Sequence, residues 1–449
     1  MIEQIVMALK EMGEKTTAVA LLDALSRHSN DISQFDELAK NYFKIHEFKK
    51  SKDYAEKVLE LTQNSSDQYS AKFNVINAAN HANYPERALA LISQLELINP
   101  NDSEVQLNKA YSLFLMNKKD KAESLLRKQL LDPNIDEETR TKILFNLGTY
   151  EMLRDEFQSG LKKFLFEGRK LKFWKKPEFQ FEKWDGKIEK NRTLVIRTEA
   201  GIGDEIVNIR FMKHIEKLGM KPIWFTERKE ISDIFNRNGF KTISRVEEIN
   251  LKNNPCWVHS MDIPIYLNLE YKDLWYGPYI NSDKTKSEKL KDLFNKDDLK
   301  IGIRWQGNPE YEQDLHRSIP FNELFRSVSK CGAEIYSLQR DTGLEEILGH
   351  GPITNLEKYM RTFDDTLSLI DNLDLVVTSC TSIAHAAAAM GKETIVLVPI
   401  SAYYTWCHST EKSPWYGDNV TILRQEKPRS WKEPLEKLEK ILESKHSNK

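Results

Sequence analysis

Up to about residue 190, apolar side chains recur at three- and four-residue spacing, with few β-branched runs and few glycines. That pattern predicts one helix after another. Beyond it, short β-rich runs (Thr193–Arg197, Lys300–Trp305, Leu373–Thr378 and Glu393–Val398) alternate with helical periodicity, as in parallel α/β units. The helical part also repeats itself. Leu38, Ala39, Tyr42, Phe48, Tyr54, Ala55 and Leu59 outline one helix pair, and Ala78, Ala79, Tyr84, Ala88, Leu91, Ile92 and Pro100 a second. Leu107, Ala110, Tyr111, Ala122, Leu125, Leu126 and Pro133 give a third; Phe145, Leu147, Gly148, Tyr150, Phe157, Gly160 and Phe164 give a fourth. A small residue in the second helix lets the pair approach closely and aromatics fill the gap. The alternative is an irregular helical domain, which four similar units in succession disfavour.

Composition narrows the class. At roughly 150 residues per domain, 449 residues predict about three domains, and 40% hydrophobic residues exclude a wholly disordered chain. Lys plus Arg total 66 against 68 Asp plus Glu, so net charge gives no case for nucleic acid or an anionic membrane as partner. Cys256, Cys331, Cys380 and Cys407 lie far apart, which fits neither a zinc site nor a disulfide framework. The acidic, amphipathic start does not read as a signal peptide, and no apolar run approaches a membrane span. The expectation is a soluble protein of a reducing compartment, the cytoplasm.

Between the halves, Lys162, Lys163, Arg169, Lys170, Lys172, Lys175, Lys176 and Lys183 oppose only Glu167, Glu178 and Glu182, with Phe164, Phe166, Phe173 and Trp174 interleaved. Such a segment suits single-stranded nucleic acid. A solvated helix end with its apolar face packed on the next domain is the favoured reading.

Three segments carry candidate chemistry. Thr193–Arg197 runs into Gly201-Ile202-Gly203-Asp204 and an amphipathic helix through Arg210, Phe211, His214 and Ile215. Glycines at such a turn let backbone pass close to a ligand. Asp204 is either a helix N-cap or a general base. The spacing matches neither a dinucleotide fingerprint nor a P-loop. After Trp305, the turn Gly307-Asn308-Pro309 leads to His316 and Arg317, cations able to neutralise a phosphate or merely surface charges. A strand from Glu334 ends in Ser337, Gln339 and Arg340. In the third segment, from Asp374, a buried strand meets Thr381 and Ser382 at the start of an alanine-rich helix. That helix start is an anion site suited to a diphosphate, and His385 lies one turn further in. For this segment alone, an N-cap and a core histidine explain as much.

Together these segments resemble the heptosyltransferase-like glycosyltransferases, in particular members in which tetratricopeptide repeats precede the catalytic module. The likeness runs from Trp184 to Trp431, through Trp184-Asp185-Gly186, the Gly201–Asp204 turn, Trp305–Pro309, Arg317–Pro320, Ser337–Gln339, Cys380–His385, Ser413–Tyr416 and Arg424-Gln425. It implies a GT-B fold, two Rossmann-like domains facing across a cleft. It also implies metal-independent transfer of a sugar from a nucleotide-sugar donor, with inversion. By that resemblance Asp204 is the general base and Gly203 belongs to its turn. Thr381, Ser382, Ile383 and His385 hold the donor diphosphate, Arg317 is a basic phosphate contact, and Ser337 and Gln339 contact ribose or base. Many members carry Asp where this chain has Cys380, which puts the orientation of that basic contact in question. No matched base supports Cys380 as a nucleophile.

The expected organisation is a helical repeat domain over 1–170, a connector over 171–190, an acceptor-side Rossmann-like domain over 191–285 and a donor-side one over 286–449. The expected function is glycosyl transfer to a saccharide or protein acceptor, with no cofactor beyond the nucleotide sugar and with a protein partner or acceptor recruited by the repeats. A non-catalytic repeat scaffold with a degenerate GT-B module is the alternative.

Overall fold

The computed structural model describes residues 2–173, 179–294, 298–340 and 342–446. Trp174, Lys175, Lys176 and Glu178 of the connector lie outside the described residues.

The N-terminal part is an array of helical hairpins: Ile2–Glu11 with Lys15–Ser26, Ile32–Lys44 with Phe48–Leu61, Ser65–His81 with Pro85–Glu96, Ser103–Leu115 with Lys119–Gln129, and Glu137–Leu153 with Phe157–Lys170. A fifth pair, Ile2–Glu11 with Lys15–Ser26, therefore precedes the four expected ones. A shared turn geometry makes the units alike. Each hairpin turn holds one left-handed residue, in order Gly13, His46, Asn83, Asn117 and Asp155. Asp31, Asp102 and Asp136 cap the helices that follow them by accepting hydrogen bonds from backbone N–H groups, which satisfies donors that a helix start leaves without partners. In the last hairpin Gly148 and Gly160 face each other. A Cβ at Gly160 would stand 2.6 Å from the Gly148 carbonyl oxygen, and one at Gly148 would stand 2.7 Å from that of Gly160.

Two parallel sheets follow, in the GT-B arrangement of two facing Rossmann-like domains. In the first, Thr193–Arg197 lies between Lys221–Phe225 and Cys256–His259, with Thr242–Ile243 outermost. In the second, Lys300–Arg304 pairs with Glu334–Ser337 on one side and Leu375–Ser379 on the other. Glu393–Val398 and Gly417–Arg424 continue that sheet, and Lys412–Ser413 closes its edge antiparallel. Both chains begin mid-sheet, extend one way and then return to the other side of the starting strand. Loops at the carboxyl ends of strands beside such a reversal diverge and leave a crevice. Here those loops are 198–204, 305–317 and 380–382.

Three elements differ from expectation in their bounds, and one of them, the strand expected over Leu373–Thr378, runs from Leu375 to Ser379. The helix after Asp204 is interrupted, as Ile202–Asn208 and Phe211–Lys217, with Ile209 and Arg210 between. The strand expected to end at Trp305 ends at Arg304, and Trp305 turns into the second domain's core beside Phe321.

The repeats are fused to the α/β part. Met152, Phe157, Leu161, Phe164 and Leu165 of the last hairpin share one buried cluster with Trp184, Ile206, Phe211, Tyr404 and Trp415. Several of the basic residues between the halves are paired here. Arg169 pairs with Glu199 at 2.5 Å and with Asp262 at 2.7 Å, Lys183 reaches Asp262 at 3.3 Å, and Lys163 reaches Glu151 at 2.6 Å. Among the described residues no helix is long and apolar enough to cross a membrane.

Substituting Gly160→Ala should push the last helix pair apart and lower stability by about 1–3 kcal/mol. Thermal and urea unfolding will measure it; an unchanged midpoint would show that the helices are not closely packed there.

Candidate functional site

One cavity of about 1190 Å³ opens where the three domains meet. The first α/β domain contributes Glu199 to Asp204 and Arg228, and the second contributes Gly307, Tyr311, Arg317, Arg340, Thr381, Ser382 and His385. The repeats supply Tyr111, Phe114, Phe145, Tyr150 and Phe164 from their inner face.

Asp204 sits in the first turn of its helix, not at the N-cap. Gly201 is the N-cap, and the Asp204 carboxylate accepts a hydrogen bond from its backbone N–H at 3.2 Å. The side chain is half-buried. Burial pushes its carboxyl up to about 6, against the opposing effect of hydrogen bonds from the Gly201 backbone and the Tyr404 hydroxyl. It is therefore largely ionised at neutral pH yet held close to its protonation point. The neighbouring Glu205 is fully buried and tied to Trp224 and Arg228.

Facing it is the Ser382–Ala389 helix with Thr381 as N-cap; no side chain caps that end. By helix geometry the Ser382 and Ile383 N–H groups lack intrahelical acceptors. The two domains come close here. A Cβ at Gly203 would stand 2.9 Å from the His385 ring, so glycine is what admits this approach.

Arg317 reaches the same helix start. Its Nε donates to Asp314 at 2.8 Å, one terminal nitrogen donates to the Cys380 carbonyl at 3.1 Å, and the guanidinium lies 4.6 Å from the centre of the Tyr311 ring. Gly307 makes room, since a Cβ there would stand 2.1 Å from the guanidinium. An acid at position 380 is thus not required to orient Arg317, because Asp314 does so. Cys380 itself is buried, and burial raises its thiol to about 11, so it stays protonated.

His385 lines the cavity but is not a cation. Its Nδ1 lies 2.8 Å from the Tyr416 hydroxyl, and its ring stacks on Trp406 at 4.9 Å. Burial, with Arg210 and Arg317 nearby, lowers it to about 3. His316 does not itself line the cavity; it is buried behind it, its Nε2 3.1 Å from the His81 carbonyl oxygen. Ser337, Gln339 and Ile383 are not brought to the cavity. Ile383 packs in the core, and the Ser337 hydroxyl accepts from the Gln339 N–H at 3.2 Å. Gln339 brackets the loops through the Trp305 and Gln306 N–H groups and the Thr342 carbonyl. These residues shape the wall from behind.

Sequence reasoning missed Arg210, Tyr404 and Trp406. Arg210 is fully buried, with ring centres of Trp275, Tyr279, Trp415 and Tyr416 between 4.6 and 5.8 Å from its guanidinium. Tyr404 of the second domain meets Asn208 of the first at 3.3 Å. Nothing in the local pattern distinguishes these from ordinary core and surface positions.

No family model and no curated protein matches the chain. Among solved structures it is similar to a mutant O-GlcNAc transferase of Thermobaculum terrenum, 11% identical, covering 93% of this chain and 91% of that one with a TM-score of 0.35. It is similar to a family 9 glycosyl transferase of Veillonella parvula, 12% identical, covering 53% of this chain and 87% of that one at 0.40. It is also similar to Escherichia coli heptosyltransferase WaaC with ADP, 12% identical, covering 56% and 99% at 0.38.

Because the folded protein holds His385 neutral while the unfolded chain protonates it near 6.5, the unfolded state binds more protons between about pH 6.5 and 3. Stability from this group is complete above pH 6.5 and is lost as pH falls. His385→Gln should therefore show a shallower fall in melting temperature from pH 6.5 to 5 than the unsubstituted protein. Parallel curves would mean that His385 is not held neutral.

Proposed function

We propose that the chain is an inverting, metal-independent glycosyltransferase that moves a sugar from a nucleotide-sugar donor to an acceptor hydroxyl. One juxtaposition supports this above all: a carboxylate poised near neutral pH on one domain faces a helix start and a latched arginine on the other, across a single cavity. In this reading Asp204 takes the acceptor proton as that oxygen attacks the anomeric carbon. The bond from that carbon to the diphosphate oxygen breaks, and the nucleoside diphosphate leaves with the electron pair. Arg317 and the N–H groups at Ser382 and Ile383 neutralise the charge that develops, the work a metal would otherwise do. Neutral His385 contributes a hydrogen bond without adding charge. The acceptor, a saccharide or protein segment, lies along the repeats' inner face. The thiol at 380, which favours the scaffold alternative, does not leave Arg317 without an acid, because Asp314 meets its Nε.

The test is transfer from a panel of nucleotide sugars. Asp204→Asn should lower kcat by about 10²- to 10⁴-fold while calorimetry shows nucleoside diphosphate binding within a few-fold of normal. Turnover of the unsubstituted protein should fall as pH drops through about 6, as the base protonates. Unchanged activity in Asp204→Asn would remove Asp204 from the base role, and absence of both transfer and nucleotide binding would overturn the proposal.

A further inference from the structure

A second, smaller cavity of about 210 Å³ lies between the repeats and the donor-side domain; it shares Tyr150 with the main cavity and is otherwise lined chiefly by Lys119, Glu123, Arg154, His408, Ser409 and Arg424, with Asp120 at its edge. We propose that it is a binding site for a small phosphate-type oxyanion, free or carried on a small molecule.

Four features of different origin converge there. Among the described residues, Lys119 has no acidic partner within ion-pair distance, and neither does Arg424. The Arg424 guanidinium is committed to backbone instead, donating to the Trp406 carbonyl at 2.7 Å and the His408 carbonyl at 2.9 Å. Lys119 begins an eleven-residue helix whose N-cap, Lys118, makes no side-chain cap. Its first N–H groups lack intrahelical acceptors and carry the positive end of the helix dipole. His408 is 1% exposed, and its Nε2 is buried with no hydrogen-bond partner, a costly state for a polar atom unless something is received there.

Two of the three nearby acids are otherwise engaged. Glu123 pairs with Arg127 at 2.7 Å and also with Arg154. Asp155 accepts from the Ser409 N–H at 3.2 Å and from its hydroxyl, and Asp120 is exposed. Burial and the neighbouring Arg424 depress the Lys119 ammonium below its ordinary value, as expected for a cation without a counter-ion. A bound oxyanion would supply that counter-ion. It would also tie the Lys119 turn of the repeats to the loop whose Trp406 stacks on His385.

The probe is inorganic phosphate, compared with chloride at equal ionic strength and constant pH, on the full chain. In chloride, Lys119→Gln should melt at or above the temperature of the unsubstituted protein, because a repulsion has been removed. In phosphate, the unsubstituted protein and Arg317→Gln should both gain several degrees and bind phosphate with similar affinity by calorimetry, while Lys119→Gln gains little and binds about tenfold more weakly. Equal gains in Lys119→Gln and the unsubstituted protein would overturn the proposal, as would no gain in either. A gain lost only in Arg317→Gln would place the phosphate in the main cleft and overturn it equally.

Discussion

The fold depends on how the two α/β domains bury Arg210. An ionised guanidinium removed from water costs several kcal/mol unless every donor and the charge itself are met. No acid meets it among the described residues. Instead its nitrogens donate to the carbonyls of Val207, Leu274 and Trp415 and to the Tyr279 hydroxyl, and four aromatic rings surround it. Those groups come from the first domain, the segment leading to the second, and the loop before Gly417–Arg424. None of these partners satisfies the charge alone, so the buried cation is tolerable only when the domains are docked in this one relation. Docking in turn fixes the site. Val207 closes the helix that carries Asp204, Tyr279 donates to the Ile206 carbonyl of that same helix, and Tyr416 holds His385.

This is also where local pattern stops being informative. Helical hairpins were legible, because a small residue in the second helix (Ala55, Ala88, Ala122 and Gly160) and the aromatics recur with the period of the fold. The strands Thr193–Arg197 and Glu393–Val398 were legible because buried parallel strands are continuous β-branched runs. The turns at Gly201–Asp204 and at Thr381–Ser382 were legible because glycines and hydroxyl residues between strand and helix have few other uses. Arg210 was not, since on an amphipathic helix it reads as a surface cation. What makes it interior is Trp415, Tyr416, Trp275 and Tyr279, far away in sequence. Ser337 and Gln339 are the opposite case, polar residues that do not line the cavity. Polar residues at a strand's carboxyl end suggest ligand contacts, but here they satisfy the backbone of neighbouring loops, which must be paired before any ligand is.

Around position 380 the side chain is a thiol, yet Arg317 is held in place. A guanidinium that faces a cavity is fixed only if it is held in one rotamer. That needs a nearby acceptor of suitable geometry, not a particular residue. Asp314 lies three residues before Arg317 on the same helical turn and meets Nε, while the Cys380 main-chain carbonyl takes a terminal N–H. The second bond does not depend on the side chain at 380 at all. Space is the other condition, and Gly307 meets it.

The repeats divide their surface between two tasks. Contacts to the far domain come mainly from hairpin turns and helix ends. Asn83 and Glu86 meet Arg429, Asp155 meets Ser409, and His81 meets Glu312 at 3.1 Å. The inner faces, with Tyr111, Phe114, Phe145 and Tyr150, form cavity wall instead. Toward the last hairpin the two tasks meet, because Phe164 and Phe145 both line the cavity and pack in or on the buried cluster shared with the α/β part. At the same time the rim grips the 308–316 loop that ends in Arg317: His46 lies 3.1 Å from the Glu310 carbonyl and Lys15 donates to the Pro309 carbonyl at 3.3 Å. A shift of the hairpin turns would therefore act on the loop that positions Arg317, so the repeats and the Arg317 side of the cavity are mechanically coupled.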